Sequence, residues 1–275
     1  MTGFGANPGG LKMFLHAPPR AAAGAGVVVV LHGCTQTAAD ARAIGWESLA
    51  DARGFYVAYA EQTTANNASR CFRWWEPAQT QRGGEAASIA GMAEYVATKY
   101  GTTRAFVTGL SSGGAMTVAL LANYADRFSA GSAFAGIPYG CATSLFDSIG
   151  CTSGVFKSAD AWGTLVRDAL GANPAPRIQL WQGSSDFTVR PANLPELVKQ
   201  WTNVHALTTT ATATDTVGTA TRKRYGAATA VEAFDVQGMD HGVPVDPKGG
   251  CGKAGPYALD VGICGASAAA DFFKL

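Results

Sequence analysis

The chain has 275 residues, 47% of them hydrophobic and 15% charged, with a formal net charge of +1. That length and apolar content support one large core under a nearly neutral surface. No lysine or arginine run is present, which argues against nucleic acid or an acidic membrane as partner, since both demand clustered positive charge. No apolar run approaches the roughly 20 residues needed to span a bilayer.

Leu11 to His16 reads as an edge strand. Val27 to Leu31 is a continuous β-branched run, as expected of a strand covered on both faces. Ala38 to Arg53 has a helical pattern, with Gly54 as its stop, and Phe55 to Ala60 is the next buried strand. Glu61 to Gly84 is long, polar and aromatic without clear periodicity, and loops of that length in compact domains are usually functional. Ile89, Met92 and Val96 repeat at helical spacing, which predicts an amphipathic helix over Ala86 to Tyr100. Arg104 to Thr108 is a strand and Ala115 to Tyr124 a helix. Ser129 to Ala135, Arg177 to Trp181 and Val231 to Val236 are further strands, with a helix from Pro191 to Val204 between the last two. The Thr- and Ala-rich tract Leu207 to Thr221 reads as a surface hairpin rather than a linker. No linker or internal repeat divides the chain. This alternation predicts one α/β domain over residues 1–275, a mostly parallel sheet with helices on both faces.

Six cysteines occupy positions 34, 71, 141, 151, 251 and 264. None forms a CxxC pair and only four histidines are present, so a structural metal site is not expected. An even count with two close pairs reads as disulfides, hence an oxidising compartment. We favour Cys34–Cys71, Cys141–Cys151 and Cys251–Cys264, the last two because each closes a short loop. Six reduced thiols in a cytosolic enzyme are the competing reading. The chain opens Met-Thr-Gly-Phe-Gly without a basic or apolar leader, so secretion implies a signal peptide absent from this sequence.

Gly109-Leu110-Ser111-Ser112-Gly113 matches G-x-S-x-G between a strand and a helix. A nucleophile on so tight a turn needs small neighbours, and the helix N-terminus behind it offers free N–H groups and a positive dipole. Ser111 is the expected nucleophile; Ser112, the alternative serine, would point into the helix start. Acyl transfer also requires backbone donors for an oxyanion. The N–H of Ser112 is one candidate, and the Cys34 N–H, in the loop after His32-Gly33, is the other, with Thr35 as its neighbour.

Of the four histidines, His16 lies in the first strand, His32 in the oxyanion loop and His205 at a helix end. His241, in Gly238-Met239-Asp240-His241-Gly242, follows a strand late in the chain, where the order nucleophile, acid, histidine puts the base. Asp186 follows the strand ending at Gln182 and is the expected orienting acid. Asp240 is too close in sequence to His241, Asp215 sits in the Thr-rich tract, and Asp160 reads as a helix N-terminal residue. Trp74, Trp75 and Phe72 are candidates for an apolar substrate platform, with packing of the long loop as the plain alternative. Tyr139 is a candidate lining residue.

Five segments together resemble the extracellular poly(3-hydroxybutyrate) depolymerase family of esterases. They are Leu31-His32-Gly33-Cys34-Thr35-Gln36-Thr37-Ala38-Ala39-Asp40, Arg70-Cys71-Phe72-Arg73-Trp74-Trp75-Glu76-Pro77, Thr108 to Met116, Gln182 to Val189, and Gly238 to Gly242. The resemblance runs from Asn7-Pro8-Gly9 to the C-terminal helix. It implies an α/β-hydrolase fold, a Ser111–Asp186–His241 triad, an oxyanion hole involving Cys34, secretion, and no cofactor. The expected substrate is a polyester such as polyhydroxybutyrate. Feruloyl and acetyl-xylan esterases belong to the same broad family, so an ester-decorated polysaccharide is the alternative. The chain departs from the pattern in its paired tryptophans and in lacking a polymer-binding module or the linker ahead of one; a monomer is expected. A non-catalytic binding protein, a thioesterase and a peptidase are the remaining rivals.

Overall fold

The computed structural model describes Met1 and residues 3–275. Its elements in chain order are β1 (Lys12–His16), β2 (Gly26–Leu31), α1 (Ala38–Arg42), α2 (Trp46–Arg53), β3 (Tyr56–Glu61), α3 (Pro77–Thr80), α4 (Gly84–Tyr100), β4 (Arg104–Leu110), α5 (Ser112–Asn123) and β5 (Ala130–Phe134). They continue with α6 (Leu145–Ser153), α7 (Ala159–Leu170), β6 (Arg177–Gly183), α8 (Asn193–Val204), β7 (Ala213–Val217), β8 (Ala220–Tyr225), β9 (Val231–Val236), β10 (Val243–Val245), β11 (Ala258–Asp260) and α9 (Gly265–Phe273).

The main sheet runs β1-β3-β2-β4-β5-β6-β9-β8-β7. Its six central strands are parallel, while β1 at one edge and the β7–β8 hairpin at the other are added by antiparallel pairing. A strand with no polar side has to be covered on both faces, and β2 shows how. Val27, Val29 and Leu31 pack into the core shared with α4, α5, α7 and α8. Val28 and Val30 pack into the opposite core, with α1, α2 and α9. Among the described residues no helix is long and apolar enough to cross a membrane.

Several expectations need correction. The single helix expected over Ala38–Arg53 is two, α1 and α2, broken at Ala43-Ile44-Gly45. There the segment after β10 passes close, with Lys253 N donating to Ala43 O at 2.8 Å. A Cβ on Gly45 would stand 2.7 Å from Gly252 N, and its φ of +104° suits only glycine. The helix expected from Ala86 begins at Gly84, the one expected from Ala115 begins at Ser112, and the long loop contains the short α3. The Thr-rich tract does form a hairpin, but β8 pairs with β9 and so extends the main sheet. Asp160 lies in the first turn of α7, as its reading as a helix N-terminal residue implies, whereas α6 is not foreshadowed in the sequence.

The parallel order gathers four connections at the C-terminal edge of the sheet, where α/β folds place their ligand crevices. The loops after β2, β4, β6 and β9 carry Gly33-Cys34, Ser111, Asp186 and His241.

Candidate active site

Between β4 and α5 the chain reverses within one residue. Ser111 takes φ 58° and ψ −117°, a conformation costly for any L side chain. Packing holds it there: Ser111 N donates to Phe134 O at 2.9 Å, and Ser111 O accepts from Ala115 N at 2.8 Å. The flanking glycines are steric necessities. A Cβ on Gly109 would lie 2.5 Å from Gly113 C, and one on Gly113 would lie 2.5 Å from Leu31 O. Ser112 is buried inside the helix start, and its Oγ has no hydrogen-bond partner. Ser111 borders the cavity and Ser112 does not.

Asp186 is 2% exposed and accepts four hydrogen bonds. Thr188 N and Val189 N donate to Oδ1 at 2.8 and 2.9 Å. Gln182 Nε2 and His241 Nδ1 reach Oδ2 at 3.1 and 2.7 Å. A carboxyl group so surrounded is fixed in direction. It holds the His241 proton on Nδ1, leaving Nε2 free to accept one. The loops bearing the two residues are laced together: Gly238 N donates to Ser184 Oγ at 2.8 Å and Ser185 N to Met239 O at 3.0 Å. The other candidates are engaged elsewhere. His16 pairs with Asp51 and His205 bonds Pro176 O. Asp240 caps the His241 amide, Asp215 is gripped by Arg222 and Arg224, and Asp160 meets Arg167.

In the β2 loop Thr35 N is committed to Ser69 O at 2.6 Å, and Gln36 N to Gly33 O at 3.3 Å. The Cys34 and Ser112 amides have no partner among the described residues. A Cβ on Gly33 would stand 3.5 Å from Ser111 Cβ, so this loop lies directly against the serine. The Cys34–Cys71 disulfide ties it to the long loop. The other disulfides join Cys141 to Cys151 and Cys251 to Cys264, the same pairs favoured from the sequence.

Ser111, His241, Cys34, Trp74 and Trp75 border one cavity of about 390 Å³. Trp74 is half-buried and Trp75 almost wholly buried. Phe72 is not part of the platform: it is fully buried, its ring centroid 5.0 Å from that of His32. Tyr139 is not brought to this cavity either. It lines a second hollow behind the two tryptophans, because its backbone N–H and carbonyl are both held by Gln200. Sequence reading missed Gln182, which steadies Asp186, and Tyr257, whose ring stands edge-on to His241 at 5.9 Å.

It also missed the rim. Among the described residues nine large apolar side chains are exposed, and five of them, Leu145, Phe146, Ile149, Phe187 and Tyr257, line the cavity or are chain neighbours of residues that do. Leu145, Ile149 and Tyr257 line it directly. Phe146 and Phe187 are 84% and 77% exposed. An apolar rim at the mouth of a cleft marks a surface that meets an apolar partner.

Comparison with known proteins gives the family and the fold. The model of the family described as "Esterase PHB depolymerase" matches residues 11–224. The poly(3-hydroxyalkanoate) depolymerase C of Paucimonas lemoignei is 45% identical, over all of this chain and 69% of the relative. An acetylxylan esterase of Coprinopsis cinerea is 36% identical over 89% of this chain and 68% of its own. A feruloyl esterase B of Talaromyces funiculosus is 31% identical over 90% and 73%. Among solved structures, the acetyl xylan esterase from Aspergillus awamori superposes with a TM-score of 0.80 at 28% identity, covering 88% of this chain and 92% of that one. The chain is therefore a carboxylic ester hydrolase of the α/β-hydrolase fold and belongs to the esterase PHB depolymerase family.

Proposed function

We propose that residues 1–275 form one catalytic unit, secreted and monomeric, that hydrolyses the ester bonds of short-chain polyhydroxyalkanoates. His241 Nε2 takes the Ser111 proton while Asp186 holds the opposite ring nitrogen. Ser111 Oγ attacks the carbonyl carbon, and the Cys34 and Ser112 amides receive the oxyanion. The tetrahedral adduct collapses by expelling the alcohol, which takes its proton from His241. Water then attacks the acyl-serine with His241 as base, releasing the acid and restoring the serine.

The observation that carries the choice of substrate is the apolar rim. A solid aliphatic polyester presents an apolar plane, which Phe146 and Phe187 can meet in a way that a hydrated polysaccharide would not reward. The depolymerase relative at 45% identity supports the same reading. Three disulfides support an extracellular setting. The alternative, removal of feruloyl or acetyl groups from plant polysaccharide, draws on the relatives at 36% and 31% identity and on the half-buried Trp74 at the cavity wall, where an aryl group or sugar ring could stack.

A substrate panel separates the two. Clearing of polyhydroxybutyrate films with little release from methyl ferulate or acetylated xylan is expected; the opposite ranking selects the carbohydrate esterase. Ser111→Ala should lower turnover of p-nitrophenyl butyrate by about 10⁴-fold or more. A variant keeping a tenth of the activity would remove Ser111 from the mechanism.

A further inference from the structure

Three buried polar residues take no part in the chemistry just described. His32 and Gln62 are each 1% exposed, and Glu85 is wholly buried. Such groups are costly to bury unless paired, and here they are paired in series. Glu85 Oε1 accepts from Gln62 Nε2 at 2.6 Å and from Arg73 Nε at 2.8 Å, and Oε2 accepts from Arg73 N at 2.8 Å. Gln62 N donates to His32 Nε2 at 3.0 Å, and His32 Nδ1 bonds Gly33 O at 2.7 Å.

The partners determine the tautomer of His32. A backbone N–H can only donate, so Nε2 carries no proton; a carbonyl can only accept, so Nδ1 carries it. His32 is thus a neutral ring that joins the end of β3 to the residue preceding Cys34. Burial lowers its pKa, which keeps the ring in that state. The Cys34–Cys71 disulfide and the bond from Thr35 N to Ser69 O close the same link from the other side. The loop carrying the free amide is therefore clamped on both sides of Cys34, and the clamp is anchored on α4 through Glu85.

We propose that Glu85, Gln62 and His32 are positioning residues of the esterase reaction, forming a buried relay that sets the direction of the Cys34 amide toward the oxyanion. The inference rests on the proposed assignment of that amide. Donors to an oxyanion act through placement, and losing one typically lowers kcat by 10²–10³-fold. A displaced donor should lose about tenfold.

The test uses two variants of the whole chain, His32→Phe and Glu85→Gln, with kcat and KM for p-nitrophenyl butyrate, the Ki of an alkyl boronate, and Tm. The boronate forms a tetrahedral adduct on a serine and places an oxygen where the oxyanion would sit. Expected is a fall in kcat of about tenfold or more, KM within about twofold, and a boronate Ki that rises in step with the loss of kcat. If either variant folds and keeps kcat and boronate Ki within twofold of the parent while Tm falls, the residues are structural only and the proposal fails. Should neither variant fold, the parent enzyme still decides. The ¹⁵N shifts of the His32 ring at pH 7 must report the neutral Nδ1–H tautomer, and an Nε2–H tautomer or an imidazolium overturns the relay. Failure of the esterase reading itself shows separately, as activity surviving in Ser111→Ala.

Discussion

The two segments that wall the Ser111 cavity are built on opposite principles. The stretch from Gln62 to Glu76 turns its polar groups inward, onto Glu85 and His32, and buries Phe72 and Trp75. The stretch from Cys141 to Lys157 turns apolar groups outward, with Leu145, Phe146, Ile149 and Phe156 all exposed. Each reverses the usual partition of polar and apolar surface, and each is stapled by a disulfide. Buried hydrogen bonds have direction, so the first wall can hold atoms in place. Apolar contact has no direction, so the second can accept an irregular surface. One wall aims and the other meets.

The largest effect should come from breaking the inward wall. Arg73→Ala leaves Glu85 buried without its cation, at a cost of about 3 kcal/mol. Denaturant unfolding should show it as a lowered midpoint; a loss under 1 kcal/mol would mean that the polar interior is not needed for the fold.

Next comes the staple of the outward wall. Opening Cys141–Cys151, ten residues apart, as the Cys141→Ser, Cys151→Ser pair should cost about 2–3 kcal/mol on chain-entropy grounds. The exposed α6 should then become sensitive to proteolysis near Phe146. The C-terminal end of α6 has a second anchor, since Thr152 O accepts from Arg190 N and Asn193 Nδ2. Cleavage is accordingly expected in the first turns; no gain in cleavage would show that packing alone secures the helix.

The rim itself should contribute little to stability. Phe146→Ser with Phe187→Ser should change unfolding free energy by less than about 0.5 kcal/mol, since neither ring is buried. Film hydrolysis should fall about tenfold, with turnover of soluble p-nitrophenyl butyrate within twofold. Equal losses on film and soluble ester would erase the contrast between the walls.

The smallest effect is a slope. Burial lowers the pKa of His32 from the ordinary 6.5, so its contribution to stability is complete above 6.5 and is lost as pH falls through the lowered value. Burial raises that of Glu85 above 4.5, despite the opposing Arg73 and Gln62 bonds, so its contribution is complete below 4.5 and is lost as pH rises through the raised value. Between 4.5 and 6.5 the two oppose. Glu85→Gln removes the falling part, so its Tm should climb more steeply with pH across that window than the parent's. An unchanged slope would mean that Glu85 does not titrate there.

Much of this molecule is legible without coordinates because its signals are local. The unbroken valines of β2, the G-x-S-x-G turn between a strand and a helix, and the strand-end positions of Asp186 and His241 all follow from short-range periodicity and the steric needs of one tight turn. The break between α1 and α2 is not local, since the close approach of Gly252 to Gly45 comes from the far end of the chain. Tyr139 looked like a lining residue and faces another hollow, because Gln200 on α8 holds its backbone.

Sequence by itself determined the class of fold, the order of serine, acid and histidine, and the family resemblance. Only tertiary structure decided which amides stand free beside Ser111, which buried residues clamp the loop that carries Cys34, and which apolar side chains remain in water. The reason is physical. Periodicity reports whether a residue has an inward face, whereas hydrogen-bond partners and exposure depend on what distant segments bring to that face.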